Sequence, residues 1–178
     1  MIAEFGLSAL WLAAALAALQ LLVGALLIKS PAGSEKEGAL MALVRPSAVI
    51  QGVLAALAFG SLLLLFAETD LSVKLVVDNS HSAKPLIFKI AGAWGNHEGS
   101  MLLWVTIMSL AGAAIALLEW RLPERTMIAT LAAQAFVGLG FYAFLLFSSN
   151  PFERQNPPAA EGLGLNPLLQ DIGLAFHP

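Results

Sequence analysis

The sequence predicts an all-α, polytopic membrane protein with about four transmembrane helices joined by loops outside the bilayer. Hydrophobic residues make up 58% of the 178 residues and charged residues only 12%, with a mean hydropathy of +0.80, whereas soluble domains carry about 25% charged residues. Four stretches run without charge for about 18 residues or more, enough to cross roughly 30 Å of hydrocarbon as a helix. Each is continuously apolar, without the alternation of a membrane β-strand.

The predicted organisation has two parts. Residues 1–149 form a four-span helical segment with a loop over residues 68–100, and residues 150–178 form a further segment outside the bilayer. The first span carries Glu4 where a cleaved secretory signal has basic residues, so it is interpreted as a retained helix. The spans are expected near residues 5–28, 47–67, 101–119 and 127–148.

The short connections predict an orientation for these spans. Lys29–Arg45 and Arg121–Arg125 share one side of the membrane and carry five basic residues, against four on the other side. Basic residues in short loops favour the cytoplasmic side. Residues 1–4, 68–100 and 150–178 are therefore predicted to lie outside.

Three local patterns lie between the spans. Alternating apolar residues over Leu71–Val77 predict a short β-strand. The stretch Leu86–Ala93 predicts a helix at the membrane interface, too short to cross it. Arg45 and Pro46 are expected to open the second span, because proline suits the first turn of a helix.

The stretch WGNHEGSMLLW, at residues 94–104, sets a polar cluster with two tryptophans against the start of an apolar span. In one continuous helix the tryptophans, His97 and Met101 share a face, on which a flat aromatic ligand can stack. The alternative, favoured by the residues alone, is that the Trp rings anchor the chain at the membrane interface and His97 makes a structural hydrogen bond. Gly95 and Gly99 also permit a break in the helix that would disperse this face.

Composition excludes several kinds of site. Cysteine is absent, so no disulfide, thiolate metal site or thiol redox step resides in this chain. The net charge of −3 comes without a basic stripe, which argues against nucleic-acid binding. No charged residue occupies a span centre, which argues against an ion path. Gln20, Gln51 and Gln134 are expected to hydrogen-bond between helices, and His81 to be exposed in its Ser-rich loop.

Two long motifs carry a resemblance to a known family. Asn79-Ser80, Pro85 and Lys89 precede WGNHEGSMLLW, and after two spans the chain reads NPF at residues 150–152 and NPLLQDIGLAFHP at residues 166–178. In this order, the motifs resemble the N-terminal part of the CcmF/NrfE family, the haem lyase subunits of bacterial cytochrome c maturation. The resemblance spans nearly the whole chain.

The resemblance implies a bacterial inner-membrane protein whose N-terminus and functional loops are periplasmic. It implies haem b as the transferred haem, received from the haem chaperone CcmE and joined to the CXXCH cysteines of apocytochrome c with CcmH-type thiol-handling partners. His177 stands at the family's periplasmic haem-ligand position and is expected to be an axial ligand of the haem iron. Trp94, His97 and Trp104 are expected to form a surface for haem or a haem-carrying partner.

Family members continue for many further spans, with a Trp-rich domain, a partner histidine and the ligands of a membrane-embedded haem b that this chain lacks. The chain is therefore expected to be a fragment or a split-gene product, inactive as a lyase on its own. A non-catalytic membrane scaffold of the maturation complex is the alternative function, and haem binding separates the two. An ion- or quinone-linked transport subunit fits the hydropathy but not the uncharged spans.

Overall fold

The computed structural model describes residues 1–31, 33–171 and 173, except for the side chains of residues 168 and 169. Its helices are α1 (Ile2–Ile28), α2 (Glu35–Glu68), α3 (Lys74–Asn79), α4 (Leu86–Gly92), α5 (His97–Leu118) and α6 (Glu124–Phe147), followed by a 3₁₀ turn at Pro167–Gln170. Within this described part there is no β-strand, and an isolated antiparallel bridge joins Val73 and Arg154. There, four helices, α1, α2, α5 and α6, are long and apolar enough to cross a membrane. The predicted all-α class with four candidate spans is confirmed.

Helix α2 begins well before the apolar stretch that predicts the second span. The carboxylate of Glu37 accepts a hydrogen bond from the Gly33 amide at 3.1 Å, and the Glu37 amide donates to the Ser34 carbonyl at 2.9 Å. The spacing of Ser34 and Glu37 is that of a capping box, but the Ser34 hydroxyl has no hydrogen-bond partner among the described residues, and the Glu37 carboxylate meets the Gly33 amide instead. The expectation that Pro46 lies in the first turn is therefore wrong, because Pro46 lies inside α2.

The β-strand expected over Leu71–Val77 is also wrong, because residues from Lys74 onward form α3. Leu75, Val76 and Val77 are all buried, at most 6% exposed. Three consecutive buried side chains do not fit a strand with one solvent face, whose residues alternate. What remains of strand pairing in the described residues is the bridge at Val73.

The chain forms two compact units, and each long helix contributes residues to both. Unit 1 consists of Met1–Ser8, Leu57–Trp104 and Leu145–Pro178. Unit 2 consists of Ala9–Ala56 and Val105–Phe144.

A buried hydrogen-bond network in unit 2 involves one residue from each of its four long helices. Gln20 Nε2 donates to Gln51 Oε1 at 2.6 Å, and Gln51 Nε2 donates to the Ser109 hydroxyl at 3.2 Å. The Ser109 and Tyr142 hydroxyls are 2.8 Å apart. All four side chains are at most 7% exposed. The predicted hydrogen bonding of Gln20 and Gln51 between helices is thus confirmed.

Two arginines fasten the connections of unit 2. Arg125 Nη1 donates to Glu37 Oε1 at 2.8 Å and to the Ser30 carbonyl at 3.2 Å, which ties the start of α6 to the first turn of α2 and to the connection before it. Arg45 donates to the Glu119 carbonyl at 3.1 Å. The apolar residues buried together in this unit are Val23, Leu27, Met41, Val44, Ala48, Ala116, Met127, Ile128 and Leu131.

In unit 1, Arg154 joins three segments that lie far apart in the sequence. Its Nε and Nη2 donate to the two carboxylate oxygens of Glu4 at 2.8 and 2.9 Å. Its Nη1 lies 3.4 Å from Asp70 Oδ2 and donates to the Ser72 hydroxyl. A guanidinium that meets a carboxylate through two parallel bonds fixes geometry as well as charge.

Residues 155–164 of unit 1 run beside residues 71–80. Backbone amides of the first segment donate to carbonyls of the second, from Gln155 to Ser72 at 2.8 Å, from Leu163 to Val77 at 2.7 Å and from Gly164 to Ser80 at 3.0 Å. Gly162 approaches the Ser80 carbonyl so closely that a Cβ there would overlap it. Glycine is therefore required at this contact.

Gly162→Ala is expected to lower the free energy of unfolding by about 1–3 kcal/mol, because the added Cβ pushes its segment away from the Ser80 carbonyl. Gly60→Ala is the matched control in the same unit, since nothing lies within 4 Å of its added Cβ. Thermal unfolding in detergent and limited proteolysis of residues 150–164 measure the difference. Equal stability of the two variants would contradict the close contact.

Candidate functional site

The WGNHEGS motif of unit 1 is divided between a turn and a helix. Trp94 and Asn96 belong to the turn that follows α4, and α5 begins at His97. The expectation of one helical face is therefore wrong for Trp94, because the helix is broken where a glycine permits it. His97 and Trp104 are seven residues apart in α5, nearly two full turns, and so share a face.

Asn96 joins the end of α4 to the start of α5. Its Oδ1 accepts a hydrogen bond from the Gly99 amide at 2.7 Å, the geometry of a helix N-cap. Its Nδ2 donates to the Gly92 carbonyl at 2.6 Å. Asn96 was not among the predicted site residues, although an asparagine directly before an apolar helix is a common N-cap signal.

Gly99 and Ser100 complete this turn. A Cβ at Gly99 would overlap the Ala93 carbonyl, so only glycine lets the helix start this close to the preceding chain. The Ser100 hydroxyl donates to the Trp94 carbonyl at 2.5 Å. The polar and small residues of the motif thus build the turn that positions Trp94 and His97.

The aromatic groups of the motif are partly exposed. Trp104 is 60% exposed and His97 is exposed, while Trp94 and Met101 are half-buried. A hydrogen bond of 3.1 Å between His97 Nδ1 and the buried Ser149 hydroxyl ties the start of α5 to the chain after α6. The segment offers indole faces and an imidazole, groups that suit a flat, largely apolar ligand.

A second polar cluster of unit 1 surrounds Glu161. Its carboxylate accepts hydrogen bonds from the Ser82 hydroxyl, from the Ser82 amide at 3.1 Å and from the Gly162 amide at 2.9 Å. These bonds, above all that of the Ser82 hydroxyl, lower the pKa of Glu161 to about 2. His81 Nδ1 accepts from the Ala83 amide at 3.1 Å and lies 3.9 Å from Glu161 Oε1. His81 is half-buried, so its predicted exposure is only partial.

The predicted haem ligand His177 lies outside the described residues, and its role stays a prediction. Among the residues that the structure describes, no group of three or more His, Cys, Asp or Glu side chains is arranged to hold a metal ion. The surface assigned to Trp94, His97 and Trp104 likewise stays a prediction.

Comparison with known proteins supports the resemblance seen in the motifs. Residues 94–178 match the family described as "Cytochrome C assembly protein". The whole chain is 47% identical over 181 residues to the cytochrome c-type biogenesis protein CycK of Bradyrhizobium diazoefficiens, covering 26% of that protein. It is 51% identical over 138 residues to the cytochrome c-type biogenesis protein ccl1 of Rhodobacter capsulatus, covering 78% of this chain and 21% of that protein.

The chain therefore spans about a quarter or less of the length of these relatives. A solved structure titled "Cytochrome c Heme Lyase CcmF" matches with a TM-score of 0.75 and 24% identity, over 88% of this chain and 26% of that one. That likeness concerns the fold, and the four apolar helices agree with it in indicating a multi-pass membrane protein. By its motifs and its relatives, the chain belongs to the CcmF/NrfE family of cytochrome c-type biogenesis proteins.

Proposed function

We propose that the chain acts in cytochrome c-type biogenesis, as part of a haem lyase subunit that transfers haem and attaches it covalently to apocytochrome c. The observation that carries the proposal is the turn at Trp94, where the family match begins. There the polar groups of one motif fix Trp94 and the start of α5, the helix that carries His97 and Trp104. The names of the relatives support the same process.

The residues of this segment suit haem b as cargo. Trp94 and Trp104 offer indole faces on which a planar ring can stack, and His97 carries an imidazole, a group that ligates haem iron in many proteins. Attachment adds each cysteine S–H across a haem vinyl group, so that sulfur bonds to one carbon, hydrogen to the other, and nothing leaves. Because the chain has no cysteine, both thiols come from the CXXCH site of the apocytochrome.

The proposed partners divide this chemistry among them. Haem is delivered by the haem chaperone CcmE, and CcmH-type subunits keep the apocytochrome thiols reduced. Axial ligation of the transferred haem is assigned to His177, while the ligands of a second, membrane-embedded haem b are assigned to parts of the protein other than this chain.

A non-catalytic scaffold of the maturation complex is the second candidate function, and one observation favours it. Asn96, Gly99 and Ser100 are all engaged in building the turn. Under this alternative the motif is a structural joint and its tryptophans are interface anchors. A transport subunit is disfavoured, because the buried network of unit 2 consists of uncharged amides and hydroxyls.

The proposed location is the bacterial inner membrane with unit 1 in contact with the periplasm. The segments expected outside, residues 1–4, 68–100 and 150–178, all belong to unit 1. The two short basic connections, Lys29–Arg45 and Arg121–Arg125, both belong to unit 2, and basic connections favour the cytoplasmic side.

Single cysteines test this orientation, since the chain has none of its own. Ala83→Cys and Glu35→Cys both stand at exposed positions. An impermeant maleimide is expected to label position 83 but not position 35 in intact cells, and both after the cells are opened. Labelling of position 35 alone in intact cells would reverse the orientation.

Variants of the motif test the function in the chromosomal gene. His97→Ala and Trp94→Ala are expected to lower the yield of holocytochrome c several-fold at near-normal protein abundance, because each removes a group assigned to haem. Trp120→Ala is the matched control, a 76% exposed tryptophan of unit 2 outside the motif. If yield falls only in proportion to abundance, the scaffold function replaces the proposal.

His177 is tested in two preparations. The purified 178-residue chain is expected to carry little stoichiometric haem, because a stable haem pocket needs enclosing walls. A chimaera extended by the remaining length of the CycK relative is expected to bind haem accepted from CcmE and to lose it in His177→Ala. Absorption spectra separate this haem from the membrane haem b, which the variant should retain. Unchanged CcmE-derived haem in the variant would reject the ligand assignment.

A further inference from the structure

Lys84, in the loop before α4, carries an ammonium group that the haem surface described above does not use. Its Nζ atom is buried and donates to no acceptor in the described part of the chain. Burial lowers the pKa of Lys84, because the charged form loses hydration without gaining a counter-ion. An unpaired charged group is costly inside a protein, so this ammonium is suited to receive an anion.

The Lys84 side chain lies against Gly164. A Cβ built on Gly164 would be 3.6 Å from Cε and 3.7 Å from Nζ of Lys84. The Gly164 amide donates to the Ser80 carbonyl at 3.0 Å. Ser80 is fully buried, and within the described residues its hydroxyl has no hydrogen-bond partner. One glycine thus adjoins two residues whose polar side-chain atoms are unsatisfied.

Two acidic side chains of the same unit, Glu161 and Asp78, are engaged elsewhere. The carboxylate of Glu161 accepts three hydrogen bonds from Ser82 and Gly162. Asp78 accepts a hydrogen bond from Lys74 Nζ at 2.6 Å. Neither carboxylate serves as a counter-ion of the Lys84 ammonium. The flanking residues 83 and 85 are exposed, so this segment lies at the surface.

We propose that Lys84 binds a carboxylate of haem through its ammonium group. This inference rests on the proposed function and specifies which residue binds the propionate edge of the haem. A single ammonium suits the single charge of a carboxylate, whereas phosphate sites offer several backbone amides. Helix α4, Leu86–Gly92, joins this subsite to the Trp94 turn over about 10 Å at 1.5 Å per residue.

A pair of porphyrins tests the subsite by titration onto the purified chain in nanodiscs, which measures weak binding that would not survive purification as stoichiometric haem. Zinc protoporphyrin IX is fluorescent and keeps both propionates, while its dimethyl ester has no free carboxylate. The wild-type chain is expected to bind the diacid about tenfold more tightly than the diester, a factor within reach of one charge-assisted hydrogen bond. Lys84→Met keeps the aliphatic stem and should lose that difference. Lys89→Met, five positions along the same segment, is the control and should keep it.

A second measurement follows Lys84 directly and does not depend on any variant folding. NMR of ¹³C-methylated lysines resolves Lys84 among Lys29, Lys36, Lys74 and Lys89. The diacid is expected to raise the pKa of Lys84 and the diester to leave it unchanged. Equal affinity for both porphyrins, or a pKa of Lys84 that does not respond to the diacid, would overturn the proposal.

Two further outcomes keep the test specific. Glutarate, a simple dicarboxylate, is expected to be ineffective at the diacid concentration; an equal rise in the pKa of Lys84 would overturn the assignment to haem. Failure of the proposed function would show in a different measurement, as an unchanged yield of holocytochrome c in His97→Ala. A lowered yield in that variant together with an unresponsive Lys84 would reject the Lys84 subsite alone.

Discussion

The side-chain amide of Gln51 must find hydrogen-bond partners inside an apolar core, and the arrangement of unit 2 depends on that need. An unsatisfied polar group within hydrocarbon costs several kcal/mol. Gln51 meets this demand by bonding Gln20 on one side and the Ser109 and Tyr142 hydroxyls on the other. Because the four residues come from four different helices, satisfying one amide fixes the rotation of all of them.

Close packing then depends on small residues near this network. A Cβ at Gly52 would come within 2.8 Å of the Ala113 Cβ and 3.0 Å of the Ser109 carbonyl. Small residues let helix backbones approach closely. In a membrane this close packing stabilises helix association, because lipid tails are as apolar as the helix surfaces and no hydrophobic effect drives the helices together. The approach that Gly52 permits is what brings Gln51, its neighbour in α2, within reach of Ser109 in α5.

Unit 1 adds ion pairs and backbone hydrogen bonds to its buried apolar residues, and its details were the harder part to predict. Four apolar runs were enough to predict four spans, because hydropathy acts over about 20 residues. The choice between strand and helix at Leu71–Val77 depended on which faces are covered. Leu75, Val76 and Val77 are all buried, and residues 155–164 run beside this stretch. No pattern within residues 71–77 predicts that residues 155–164 lie beside them. Arg154 joins Glu4 across 150 positions in the sequence, a contact that spacing alone does not reveal.

The WGNHEGS motif was predicted as a site from its residue types, but the structure divides those residues between two tasks. Asn96 caps α5 and stabilises the break at Gly95 that separates Trp94 from this helix. Trp94 therefore does not share the predicted helical face with His97 and Trp104. The turn fixes Trp94 beside the start of α5, the helix that carries His97 and Trp104. A joint of this kind is compatible with a scaffold and with a haem surface. The residues that build the turn are therefore common to both functions, and so is His97, which bonds Ser149. The 60% exposed ring of Trp104 separates the two functions, since it lies in α5 beyond the turn.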